Sequence, residues 1–170
     1  MLASFSTLIL FMFLQAQTIF DFRSGADISG WRIVDDVVMG GRSNGNFMLN
    51  SDGNGVFYGR ISLENNGGFS SVQYRFNRMN TSKYKRFCIR LKGDGKTYQL
   101  RIKNRSGNYF SYVVDFTTSG DWETIDILFR EMYPSWRGRK LGSANFNGET
   151  MEEIGFLIGN KKEETFKLEI

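Results

Sequence analysis

From residue 19 onward the chain is built of short runs in which apolar and polar residues alternate, and this pattern limits the possible folds more than any other feature. Phe87, Ile89 and Leu91 alternate with Arg86, Arg90 and Lys92, and Tyr98, Leu100 and Ile102 alternate with Gln99, Arg101 and Lys103. A period of two places each set on one face of a strand. Between the runs lies Lys92-Gly93-Asp94-Gly95-Lys96, whose glycines tolerate positive φ. The two runs read as a hairpin with an apolar face and a basic face. Phe110, Tyr112, Val114 and Phe116, the turn Ser119-Gly120-Asp121 and the return Ile125, Ile127, Phe129 read as a second hairpin. Two further inward sets are Ile154, Phe156, Ile158 and Phe166, Leu168, Ile170; only Glu149 to Glu153 suggests a helix, about one turn long. Sixteen Phe and nineteen Gly against a single Pro suit strands joined by tight turns. The expectation is an all-β sandwich or barrel, and 170 residues suffice for one domain with its own core.

The absence of histidine removes several chemistries at once. Cys-His and Ser-His-Asp catalysis and zinc sites built on imidazole are excluded. Cys88 is the only cysteine, so it forms no internal disulfide, and its strand-like surroundings read as buried or half-buried. The net charge of +4 is mild. Lys83-Tyr84-Lys85-Arg86 and Arg137-Gly138-Arg139-Lys140 are short and read as solvated loops, so nucleic acid is not an expected partner. Met1 to Gln17 carries no charged side chain, and Leu8 to Leu14 is continuously apolar. That run is too short to span a bilayer, and no transmembrane segment is expected. It fits the core of a signal peptide over residues 1–16, with the mature domain at 17–170; a buried N-terminal strand is the alternative. Cleavage would place the protein in the periplasm or outside the cell, and retention would place it in the cytoplasm.

Two Gly-rich stretches interrupt the alternation: WRIVDDVVMGGRSNGN at 31–46 and ENNGGFS at 64–70. Adjacent Asp35 and Asp36 point to opposite faces of an extended backbone, so one turns inward to accept loop N–H groups. In one reading Asp35 and Ser43 tie the first loop to itself while Gly40 and Gly41 make the turn; in the other the loop, Met39 included, contacts a ligand or partner. In the second stretch Asn65, Asn66, Gly67 and Gly68 suit left-handed turns, and the Asn amides also suit sugar hydroxyls or a peptide backbone. Glu64, Asp35 and the Asn carbonyls would be oxygen ligands for calcium, although regular calcium-loop spacing is absent; no other cofactor is expected. Arg90 and Arg101 fall on the polar faces of what read as neighbouring strands, with Asp94, Tyr98 and Gln99 nearby. Trp136 and Arg137 offer an aromatic-cationic pair in a loop.

The same residues carry a family resemblance. Trp31 with Asp35-Asp36-Val37-Val38-Met39-Gly40-Gly41-Arg42-Ser43, then Ser62-Leu63-Glu64-Asn65-Asn66-Gly67-Gly68-Phe69, resembles the complex I intermediate-associated protein 30 family. Arg90-Leu91-Lys92-Gly93-Asp94-Gly95-Lys96, the stretch from Trp122 to Phe129 with Pro134 and Arg137-Gly138, and Ile154-Gly155-Phe156-Leu157-Ile158 follow in order. The resemblance covers roughly Phe20 to Ile170. It implies a galactose-binding-like jelly-roll sandwich. Mitochondrial members are assembly factors for respiratory complex I, and compact members occur in bacteria; this sequence looks like the compact type and lacks a long Arg-rich transit region.

Three functions compete. A protein-binding domain of assembly-factor type, its partner a respiratory-complex subunit or another assembly factor, follows from the resemblance and from the missing catalytic residue types. An exported carbohydrate-binding module follows from the jelly-roll expectation and the aromatic residues. A hydrolase using two carboxylates would draw on Asp35, Glu64, Asp94 and Asp115, which are scattered along the chain.

Overall fold

The computed structural model describes residues 16–170; the apolar run Leu8 to Leu14, on which the signal-peptide expectation rests, lies outside them. The strands are β1 (Trp31–Asp35), β2 (Asn44–Leu49), β3 (Gly55–Ile61), β4 (Ser70–Asn80), β5 (Arg86–Lys92) and β6 (Thr97–Lys103). They continue with β7 (Ser111–Thr117), β8 (Trp122–Leu128), β9 (Tyr133–Trp136), β10 (Arg139–Lys140), β11 (Thr150–Ile158) and β12 (Glu164–Glu169). They form a seven-stranded sheet, β1-β4-β11-β6-β7-β9-β10, packed on a five-stranded sheet, β2-β3-β12-β5-β8. All pairs are antiparallel, as the jelly-roll expectation requires. No helix among the described residues is long and apolar enough to cross a membrane.

The inward sets read from the sequence meet between the sheets. Phe57, Leu91, Leu100, Ile158 and Leu168 are fully buried there. Each such side chain contributes about 1.5–3 kcal/mol relative to an exposed position. Trp31 closes one end of this core, with Phe20, Phe22, Phe47 and Tyr74 all within 5.5 Å of its ring centre.

Both expected hairpins are instead crossings between sheets. β5 pairs with β8 in one sheet and β6 with β7 in the other. Alternation states which side chains point inward, and that is identical for two strands of a hairpin and for two strands facing across the sandwich. The crossings brace one another: Thr118 donates its N–H to the Lys96 carbonyl at 3.1 Å, and its hydroxyl accepts the Gly95 N–H at 3.1 Å. A side chain at Gly93 would place Cβ 2.2 Å from the Thr118 hydroxyl, so this crossing needs glycine for space.

Two further expectations are corrected. Glu149 to Glu153 is no helical turn; it leads into β11, where Met151 and Ile154 enter the core. Cys88 is exposed, because the alternation that sends Phe87, Ile89 and Leu91 inward sends Cys88 outward with Arg86 and Arg90.

The five-stranded sheet is split. β5 pairs with β8 along its whole length but meets β12 only at Lys92 and Glu169. Beyond that point β12 gives way to Ile170, and the edge of β5 faces the segment 16–22.

Candidate functional site

The two irregular stretches of the sequence are also crossings between sheets. Residues 36–43 lead from β1 to β2 and residues 62–69 from β3 to β4, so both pass over the same end of the sandwich. One side chain ties them together. Asp36 is fully buried, and its Oδ1 accepts the Ser43 N–H at 2.9 Å. Its Oδ2 accepts the Ser43 hydroxyl at 2.5 Å and the N–H groups of Gly68 at 2.6 Å and Phe69 at 3.2 Å. The Ser43 hydroxyl in turn accepts the Ser62 N–H at 3.0 Å. Burial opposes the Asp36 charge, but the bonds from Ser43, Gly68 and Phe69 outweigh it and hold the carboxyl below its ordinary value.

Of the adjacent aspartates it is Asp36 that is buried among the loop N–H groups. Asp35 does not tie its loop to Ser43. It stitches strands, accepting the Gly45 N–H at 2.9 Å and the Ser70 hydroxyl at 2.5 Å. Asp36, which the sequence did not single out, holds Ser43. Its presence also explains two glycines: a Cβ at Gly41 would lie 2.3 Å from Asp36 Oδ1, and one at Gly67 2.6 Å from Oδ2. The carboxylate occupies the space that side chains would need.

The outward side of this buried anchor is different in chemistry. Asp36 to Met39 forms one short 3-10 turn, ended by Gly40 in the left-handed region. It leaves Val37, Val38 and Met39 exposed at 60%, 73% and 56%, and Leu63 on the second crossing is exposed at 41%. Asn65 and Asn66 adopt left-handed backbone, as their sequence suggested, and the Asn65 amide donates to the Gly40 carbonyl at 3.1 Å. Arg42 and Glu64 pair at 3.1 Å on the surface. Met39, Gly40, Gly41, Ser43, Glu64, Asn65, Asn66, Gly67 and Gly68 thus come together, with the glycines and Ser43 serving the anchor. The missed residues, Val37, Val38 and Leu63, had a signal: consecutive apolar side chains inside a polar Gly-rich loop.

The other candidates lie elsewhere. Tyr98 is a core residue with 1% exposure, corrected from a binding role; its hydroxyl donates to Asp94 at 2.9 Å, and burial pushes its pKa upward. Asp94 also accepts the Lys96 ammonium at 2.6 Å and the Lys167 N–H at 3.0 Å, which fastens the crossing before β6 to β12. Arg90 and Arg101 are not neighbours, since β5 and β6 belong to different sheets; Arg90 lies over Trp122, 4.1 Å from the ring centre. Arg101 donates to Gln99, which donates to Asp115, across β6 and β7. Burial draws the Arg101 pKa down despite Glu153, Tyr133 and Asp115 around it. Register sets Gln73, Gly155, Arg101, Val113 and Tyr133 in one row across the outer face of the larger sheet. Trp136 and Arg137 sit at the opposite edge of that sheet from β1, Arg137 over the Trp136 ring at 5.0 Å. Asp35 and Glu64 do not gather into a calcium site: Asp35 is spent on Gly45 and Ser70, and Glu64 on Arg42. Among the described residues no three His, Cys, Asp or Glu side chains group as metal ligands.

Residues 20–170 match the family described as complex I intermediate-associated protein 30. The mitochondrial complex I intermediate-associated protein 30 of Mus musculus is 26% identical over 184 aligned positions, covering 92% of this chain and 55% of that protein. The chain thus spans about half the length of that curated relative. Among solved structures, a family 11 carbohydrate-binding module of a cellulosomal cellulase from Clostridium thermocellum superposes with a TM-score of 0.62 at 15% identity, covering 86% of this chain and 88% of that one. The Clostridium thermocellum module bound to a β-1,3-1,4-mixed-linked tetrasaccharide gives 0.58 at 16% identity, with 84% and 86% covered. At these identities the likeness establishes the galactose-binding-like jelly roll and no more. The match across residues 20–170 extends from the Trp31 end of the core through both Asp36 crossings to the last strand, and by it this chain belongs to the complex I intermediate-associated protein 30 family.

Proposed function

We propose that this chain is a non-catalytic, protein-binding domain of the assembly-factor type, and that its contact surface is the tip formed by Val37, Val38, Met39 and Leu63. One observation carries this reading. Apolar side chains stand exposed on a turn whose first residue, the buried Asp36, is bonded to Ser43, Gly68 and Phe69. An exposed apolar group on a preorganised loop loses little entropy when covered, which suits a protein surface. The mouse relative is named for its association with a complex I intermediate, and a respiratory-complex subunit or another assembly factor is the partner this supports. The test is affinity capture from the native host with the intact protein and with a Val38→Asp, Met39→Asp variant. A partner recovered by the first and lost by the second, at equal thermal stability, is expected. A partner set unchanged by the variant would overturn the tip as the contact surface.

A second reading is favoured by the outer face of the larger sheet. There Arg101, Gln99 and Asp115 form a hydrogen-bonded polar chain beside Tyr133, donors and acceptors of the kind that meet sugar hydroxyls. Glycan-array binding lost in Arg101→Ala would support this carbohydrate-binding role, and no signal above background, with and without calcium, would remove it. Export belongs with it: the N-terminal sequence of protein from the native host is expected to begin at Gln17, and an intact Met1 would overturn export by cleavage there.

A further inference from the structure

Apart from the Lys92–Glu169 contact, the edge of β5 away from β8 pairs with no other strand among the described residues. Phe129 donates its N–H to the Lys85 carbonyl at 2.9 Å, which makes Lys85 and Phe129 a hydrogen-bonded pair of the β5-β8 ladder. In an antiparallel ladder such pairs recur every second residue, so Phe87, Ile89 and Leu91 also turn their backbone groups to β8. The N–H and C=O groups of Arg86, Cys88 and Arg90 therefore point the other way, toward the cavity that these residues line. Among the described residues no backbone hydrogen bond joins the segment 16–22 to this edge.

A cavity of about 720 Å³ follows the edge and opens into the sandwich, within the size range of sites that bury a ligand. Its inner wall is apolar: Phe20, Phe22, Phe87, Ile89, Phe156 and Ile170. Trp31 also lines it, and its buried indole N–H has no acceptor among the described residues. The outer rim is basic, carrying Lys83, Lys85, Arg86 and Arg90 against Asp21, while Asp126 on β8 pairs with Arg86 at 3.8 Å. The gap thus combines unpaired strand edge, apolar interior and positive exterior.

We propose that this edge of β5 receives an extended peptide strand from a partner protein, with apolar side chains at alternate positions entering the cavity and acidic side chains at the positions between them lying over Arg86 and Arg90. Strand addition satisfies the backbone groups of Arg86, Cys88 and Arg90, which a lipid tail would not. A strand's side chains alternate between its faces, which matches an apolar wall on one side of the edge and a basic rim on the other. The proposal is independent of the Val38 and Met39 tip, which lies on the crossing between β1 and β2.

The experiment uses the full chain and two labelled peptides of about nine residues, one alternating valine with glutamate and the other valine with lysine. Fluorescence anisotropy measures binding, and amide hydrogen exchange locates it. The glutamate peptide is expected to bind saturably and the lysine peptide not at all. The amides of Cys88 and Arg90 gain protection, while those of Phe87 and Ile89 are protected throughout. Paired Arg86→Glu and Arg90→Glu substitutions at these exposed positions, compared at a thermal stability equal to that of the wild type, weaken the glutamate peptide by about tenfold or more. Absence of saturable binding overturns the proposal, as does binding that leaves the Cys88 and Arg90 amides unprotected, the signature of an apolar ligand merely filling the cavity. Protection of those two amides in the chain alone also overturns it, because the protein would then cover its own edge.

Discussion

The Asp36 crossings and the open edge of β5 solve the same problem in opposite ways. In both places the chain leaves a sheet and backbone groups lose their ladder partners. At the crossings four donors converge on one buried carboxylate, and the two loops are locked to each other. Along β5 no side chain among the described residues bonds back, and the groups of Arg86, Cys88 and Arg90 stay turned toward a cavity. A polar residue in a Gly-rich loop therefore need not mark a ligand. Asp36 and Ser43 are consumed by folding, and what they free for function is the conformation of their neighbours.

Removing the carboxylate is the most severe way to break this contrast. Asp36→Ala leaves the Ser43 hydroxyl and the N–H groups of Ser43, Gly68 and Phe69 without their acceptor, and unsatisfied buried donors cost about 1–3 kcal/mol each when water cannot enter. Partial rearrangement brings the expected loss to about 3–5 kcal/mol, read by urea denaturation. Asp35→Ala, which frees only the Gly45 N–H and the Ser70 hydroxyl, is expected to cost less. The reverse order would show that Asp36 is no clamp. The same site has an acid signature. Because the folded Asp36 pKa lies below its ordinary 3.8, its stabilisation is complete above the unfolded value and disappears as pH falls through the folded one. Asp36→Asn removes that component, so its denaturation midpoint should depend less on pH below 3.8 than that of the wild type.

Space around the carboxylate gives the next effect. Gly41→Ala drives a methyl to 2.3 Å from Asp36 Oδ1, and relief requires the clamp to shift. A loss of about 1–3 kcal/mol is expected, within the range of overpacked cores. Combined with Asp36→Ala the two should be markedly less than additive, because the contact that makes alanine costly has gone. Full additivity in a double-mutant cycle would separate Gly41 from the clamp.

How much of this could be read without coordinates depends on whether the information is local. The inward faces of β5, β6, β7, β8, β11 and β12 follow from alternation, since a period of two is a property of neighbours in sequence. Which sheet each strand joins is a property of distant partners. The turn at Gly93 to Lys96 therefore reads equally well as a hairpin, although Thr118 and Lys167 hold it as a crossing. Adjacency of Asp35 and Asp36 fixes that they diverge, but not which one turns inward, because that depends on Gly68 and Phe69 more than thirty residues away. The open edge of β5 had no local signal at all. It depends on β12 meeting β5 only at Lys92 and Glu169, partners more than seventy residues apart in sequence, and only the assembled sheet shows it.

The smallest expected change in stability sharpens the comparison most. If the Asp36 clamp serves to present the tip, stability and recognition should separate at the tip. Val38→Ser and Met39→Ser remove apolar surface that is mostly exposed and that makes no anchoring bond. Their stability should stay within about 0.5 kcal/mol of wild type. Partner capture should nevertheless fall, because a few exposed anchors dominate most interfaces. Asp36→Asn should show the opposite balance, with stability lowered and capture reduced only as far as the turn loosens. Measuring both properties for the three variants places each on a plane of stability against binding. If the tip variants fall on the same line as the clamp variant, the exposed Val38 and Met39 are part of the folding device, and the contact surface must be sought at the β5 edge or on the Arg101 face.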